Sequence, residues 1–197
     1  MEGEIQRDRM ARCLKEVESN PDKASAHFNL GLACTTSGRV KRAEEAYLKA
    51  VELDPTMVEA WVNLGGVRLL RWEFNGCLEA TREAAKLRDD LPIVHYNMGQ
   101  AYLYLNDPEN LVRCNERVLE LERDNGAAHY YAAVGHLALG DLGASERHLG
   151  RAIELGHQPT QDFVKAMEKA HLKKGRQGNV TLIEISGAEN PEKKEED

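Results

Sequence analysis

Three histidines, His27, His95 and His129, are separated by multiples of 34 residues, and His136 follows His129 by seven. Imidazole is the commonest metal ligand and the side chain best placed for proton transfer near neutrality. As ligands, these rings would have to bring nitrogens to about 2 Å from one ion. Equivalent positions in packed helices instead lie about 10 Å apart, so the expectation is a packing or capping role, with no metal and no cofactor. The four cysteines, Cys13, Cys34, Cys77 and Cys114, contain no C-x-x-C pair and read as reduced core residues. No Gly-rich phosphate loop, H-E-x-x-H or G-x-S-x-G element occurs. A catalytic reading has nothing to start from, and the expectation is a protein that is not an enzyme.

The chemistry that remains is binding. Asn29, Asn63 and Asn97 share one position in the same spacing, and an amide offers both donor and acceptor to a peptide main chain. Beside them run Phe28 and Leu32, Val62 and Gly66, Tyr96 and Gln100, Tyr130 and Val134, with Tyr104 and Tyr131 nearby. Aromatic residues with a polar tip make good interface anchors. The competing reading, that Tyr96 and Tyr130 only pack between neighbouring helices, stays open at this point.

These residues are positioned by an internal repeat. HFNLG at 27–31, WVNLG at 61–65 and HYNMG at 95–99 start 34 residues apart, and HYYAA at 129–133 keeps the register. A fixed period of this length marks stacked supersecondary units. Residues 27, 30, 31 and 34 fall on one helical stripe and 43, 47, 50 and 51 on another, which predicts two amphipathic helices per unit. Gly31, Gly65 and Gly99 in mid-helix cost roughly 1 kcal/mol each against alanine; they are expected where a second helix approaches closely, with Ala43 and Cys77 as the small partners opposite. Gly38, Asn106 and Gly140 fit left-handed helix ends, and Asp107-Pro108 reads as a cap followed by the first helical position. Trp72 stands where the second unit needs such a glycine, which predicts a differently built turn with Trp72 partly exposed.

Leu30, Gly31, Ala43, Tyr47 and Pro55 in the first unit, Trp61, Leu64 and Gly65 in the second, Gly99 and Tyr102 in the third and Ala152 in the fourth resemble the tetratricopeptide repeat pattern. The resemblance covers about residues 5–174. It implies an all-α, right-handed α-solenoid of stacked helix-turn-helix repeats whose first helices line a concave groove. It further implies that Phe28, Asn29, Leu32, Val62, Asn63, Tyr96, Asn97, Gln100, Tyr104, Tyr130, Tyr131 and Val134 line that groove for a protein or peptide ligand. Chaperone-binding members of the family grip a terminal carboxylate with Lys and Arg, but Phe28, Leu32, Ile93 and Asn97 stand at those places here and only Asn63 matches. The organisation expected is an N-terminal half-repeat helix at 1–23, repeats at 24–57, 58–91, 92–125 and 126–159, a closing helix at 160–174, and an acidic tail at 175–197 with a strand-like segment at 180–185.

The chain has 197 residues and a net charge of −7, with basic residues scattered among acids. That lacks the basic footprint of nucleic-acid binding. The first residues hold charges and no apolar run, and no stretch has the roughly 18 apolar residues of a membrane span, so a cytoplasmic protein without membrane insertion is expected. The reading is a scaffold or adaptor, with a dedicated chaperone or assembly factor for one client as the alternative. The apolar tail segment offers a route to self-association, a motif for a partner, or a strand lying back in the chain's own groove.

Overall fold

The computed structural model describes residues 2–172 and 182–187, and among these the secondary structure is helix and turn with no strand. The helices are α1 (Glu2–Ser19), α2 (Ala24–Thr36), α3 (Val40–Leu53), α4 (Val58–Leu70), α5 (Phe74–Leu87), α6 (Pro92–Tyr104), α7 (Pro108–Leu121), α8 (Gly126–Ala138), α9 (Leu142–Glu154), α10 (Gln161–Leu172) and the short α11 (Leu182–Ser186). None is long and apolar enough to cross a membrane. The chain divides into two compact units, Met1–Asp89 and Asp90–Asp197.

In the first unit α2 pairs with α3 and α4 with α5, while α1 lies on α2 and α3 on α4. Its core gathers Leu30, Cys34, Ala43, Tyr47, Ala50 and Leu64, and Met10 and Cys13 add the buried stripe of α1. Close approach is made at the glycines, but the partner is not the small residue expected. A Cβ on Gly31 would lie 2.5 Å from the Tyr47 ring, and one on Gly65 would lie 2.7 Å from the Thr81 methyl. Tyr47 and Thr81 stand one turn beyond Ala43 and Cys77. The reason is that a flat ring or short branched side chain lies across the bare backbone and fills the space directly, which a small residue could not.

The two repeats of this unit are also joined through a buried carboxylate. Glu44 on α3 is 7% exposed and pairs with Arg68, at 3.2 Å, and with Arg71. Arg68 donates as well to the Gly76 carbonyl at 3.0 Å, across a glycine where a Cβ would stand 3.0 Å from the arginine side chain.

Trp72 corrects the expectation of a differently built turn. The backbone bonds Arg71 N to Val67 O, Trp72 N to Leu69 O and Glu73 N to Arg68 O repeat those of Ser37, Gly38 and Arg39 in the preceding unit. Trp72 therefore adopts φ 63° where Gly38 has 68°, and its ring packs edge-on against Phe74 at 6.0 Å. The hydrogen bonds of the helix end outweigh a left-handed penalty of about 1–2 kcal/mol. Partial exposure of Trp72 is as expected. Trp72→Gly should accordingly be about 1 kcal/mol more stable than Trp72→Ala in urea unfolding. Both variants lose the ring, so equal stabilities would mean that the backbone relaxes out of the left-handed region.

In the second unit the side chains of Asp107, Asn125 and Asp141 accept from Asn110 N, Ala128 N and Ala144 N, which fixes where α7, α8 and α9 begin. Asn106 and Gly140 take positive φ at the preceding helix ends, as their types suggest. Gly99 faces Asn115, which holds the same place in its repeat as Tyr47 and Thr81. The four cysteines of the whole chain are buried and free.

The segment read as a strand is where local preference misleads. Residues 182–186 form α11, while Val180, Thr181 and the acidic tail beyond Gly187 lie outside the described residues. A helix puts Leu182, Ile185 and Ser186 on one face, and all three are buried while Glu184 is exposed. A strand would have split Leu182 from Ile185 across two faces. Burial of the pair decides the outcome over β-propensity, which is weak and context-dependent.

Candidate peptide-docking surface

The candidate residues divide between the two units. In the first, Phe28, Leu32 and Val62 are half-buried, Phe28 with its ring 5.9 Å from that of Tyr47. Asn29 is exposed, whereas the Asn63 amide donates to the Glu59 carbonyl of its own helix at 2.7 Å. The asparagine ladder is thus not uniform, and Asn97 in the second unit is 7% exposed.

In the second unit Tyr96, Gln100, Tyr104 and Tyr131 are half-buried. Tyr96 meets Tyr131 edge-on at 6.3 Å, and the Tyr131 hydroxyl lies in hydrogen-bonding reach of Gln100 and Tyr96. Burial, with Tyr131 and Tyr104 beside it, pushes the Tyr96 hydroxyl up to about 12. The Tyr96 and Tyr131 phenols, both raised by burial, stay neutral at any physiological pH. Gln100 Nε2 is buried beside the Tyr131 hydroxyl.

Tyr130 and Val134 are placed otherwise: they are 2% and 0% exposed. The Tyr130 ring packs on Phe163 of α10 at 5.5 Å and on His157 at 4.6 Å. Its hydroxyl donates to the Ser186 carbonyl of α11 at 3.1 Å. Thr160, which receives Phe163 N at the start of α10, also donates to that carbonyl at 3.2 Å. At the other end of α11, Leu182 N donates to Asn106 Oδ1 at 2.9 Å. The face of the last repeat is therefore occupied by the chain's own C-terminal segment. Asn106, Thr160, Leu182 and Ile185 were not among the sequence candidates, because Leu182–Asn106 and Ser186–Tyr130 are 76 and 56 residues apart and belong to no repeat. The readable signal was Leu182, Ile185 and Gly187, apolar residues at i and i+3 followed by a helix-ending glycine.

Two histidines of the ladder act as straps. His27 Nε2 lies 2.7 Å from the Pro21 carbonyl, Trp61 Nε1 donates to Pro55 O at 2.9 Å, and His129 Nε2 lies 3.2 Å from Arg123 O. In each case an aromatic N–H at the fourth position of the repeat ties down the turn six residues earlier. Histidine and tryptophan interchange there because both present a donor at the rim of a flat ring.

The bond to Arg123 fixes His129 as the Nε2–H tautomer. Its Nδ1 then accepts from His148 Nδ1, 3.1 Å away on α9. His148 also stacks on His136 at 5.4 Å, and sequence reading did not find it. Burial first, then His129 and His136, hold His148 down to about 4.

An all-α stack of helix pairs is a helical-repeat fold. The tetratricopeptide repeat pattern matches at residues 24–57 and again at 94–128, and the chain is a tetratricopeptide repeat protein. Human protein O-mannosyl-transferase TMTC3 is 26% identical over 158 residues, which is 72% of this chain but 17% of that protein. Among solved structures, MamA is 19% identical with a TM-score of 0.72, covering 75% of this chain and 86% of that one. YrrB, described as a TPR protein with an unusual peptide-binding site, is 19% identical with a TM-score of 0.71, covering 89% of this chain and 93% of that one. These likenesses establish the all-α solenoid fold class.

Proposed function

We propose that the chain is a cytoplasmic protein-interaction scaffold that binds a peptide segment on the aromatic face of its second unit. The observation that carries this reading is the half-exposed aromatic set Tyr96, Tyr104 and Tyr131, with the Gln100 amide beside the Tyr131 hydroxyl. Large rings supply contact area, and their hydroxyls and the amide can pair with a peptide main chain. The peptide-binding site named for YrrB supports the same use of this fold. The transferase activity in the human relative's name belongs to a protein of which this chain spans 17%, and the role proposed here is binding without catalysis.

Tyr130 is structural, so it is the wrong residue to remove. Tyr96→Ala combined with Tyr104→Ala should reduce capture of the specific partner at least tenfold, each anchor contributing on the order of 1–2 kcal/mol, with helicity by circular dichroism unchanged. Undiminished capture by the double variant would move the site to another surface. Equimolar co-purification with one client that is insoluble alone would refine the role to a dedicated chaperone.

A further inference from the structure

We infer that the cradle holding α11 is a recognition site for a short helix of defined chemistry in a partner protein: an apolar residue, a second apolar residue three positions on, then a small residue and glycine. The chain's own Leu182–Gly187 is its resident ligand, displaced when that partner binds. This rests on the reading of the second unit as a binding surface, but uses a different set of residues.

The cradle is built for both ends of such a helix. Asn106 Oδ1 accepts the first amide, from Leu182. The Tyr130 and Thr160 hydroxyls converge on the last carbonyl, that of Ser186. Between them Leu182 is 0% and Ile185 2% exposed, so the floor sets the spacing of i and i+3. Ser186 is buried as well, which admits only a small side chain. Gly187 has φ +68°, and a Cβ on it would stand 3.1 Å from the Thr160 side chain. Glycine is therefore favoured by conformation, and any larger residue would also press on Thr160.

The resident segment is also made to leave. A five-residue helix is far below the length that persists alone in water, so α11 exists only while docked. The entropy lost in ordering it is of the same order as the gain from burying two aliphatic side chains. A partner that presents the same face from a helix already formed avoids the ordering cost and competes successfully.

The test uses the full chain and a synthetic peptide, NVTLIEISGA, as the probe. Leu182→Asp with Ile185→Asp should vacate the cradle, and calorimetry should show that this variant binds the peptide at least tenfold more tightly than the unaltered chain. A peptide with valine for the glycine should lose that binding, and adding Tyr130→Phe to the vacated chain should weaken it several-fold. Absence of binding to a folded vacated chain, or equal binding by the two chains, would overturn the site. Should the vacated chain not fold, excess peptide added to the unaltered chain should accelerate amide exchange at 182–187, and unchanged exchange would overturn displacement. Tyr96→Ala with Tyr104→Ala keeps the cradle intact, so loss of partner capture there leaves the peptide result standing.

Discussion

Gly31→Ala should destabilise the first unit by about 2 kcal/mol, although alanine is the better helix former. A new Cβ would stand 2.5 and 2.6 Å from two Tyr47 ring atoms, closer than real contacts allow. The ring cannot step aside: Tyr47 is fully buried, its hydroxyl is hydrogen-bonded to Thr35 at 3.1 Å, and Phe28 lies against it. Overpacking of this kind costs about 1–3 kcal/mol, which outweighs the gain of about 1 kcal/mol in helix propensity. Gly150 on α9 provides the contrast, since a Cβ there meets nothing within 4 Å. Gly150→Ala should therefore stabilise by up to about 1 kcal/mol. Urea unfolding of both variants checks the pair, and a Tyr47→Leu background should turn Gly31→Ala from harmful to neutral. If Gly31→Ala behaved like Gly150→Ala, Tyr47 would not be what keeps that position bare.

The glycines also show how far the sequence could be read. Their place in mid-helix announced close approach, and the period announced stacked helix pairs, because both signals are local and repeat. What lay opposite the glycine was not local, and the reading chose Ala43 and Cys77 where Tyr47 and Thr81 do the filling. Trp72 misled in the opposite direction. Its intrinsic preference argued for a new turn, but the helix-end hydrogen bonds are common to both repeats and kept the same one. The aromatic stripe was found by assuming that equivalent positions in each repeat share an environment. Tyr96 stays half-buried, whereas Tyr130 is covered, because α10 and α11 lie on it at the end of the stack. His148 was invisible for a related reason, since only packing of α8 on α9 brings it to His129.

That packing gives the second unit an acid sensitivity. Between pH 7 and pH 4.5 the unit should lose about 2 kcal/mol of stability through His148. Its folded value of about 4 lies below its ordinary 6.5, so in the interval between them the unfolded chain binds a proton that the folded chain does not. Stability from this residue is fully present above pH 6.5 and falls as the pH falls toward 4. A shift of that size corresponds to about 3 kcal/mol for a dry site, and partial solvent contact reduces it to about 2 kcal/mol. His129 and His157, both lowered by burial, act in the same direction. The groups around His148 reinforce it. Arg147 and the two neighbouring histidines oppose a cation there, while Glu116 and Asp141, at 3.9 and 4.0 Å, face His136 instead. Protonating both His129 and His148 would also set two N–H donors against each other across the 3.1 Å bond. Because carboxylates titrate in the same range, the measurement is a difference: amide exchange in α8 and α9, at pH 7 and pH 4.5, for the unaltered chain and for His148→Gln. The variant should show a flatter loss of protection on acidification, and equal loss in the two chains would place His148 at its ordinary value.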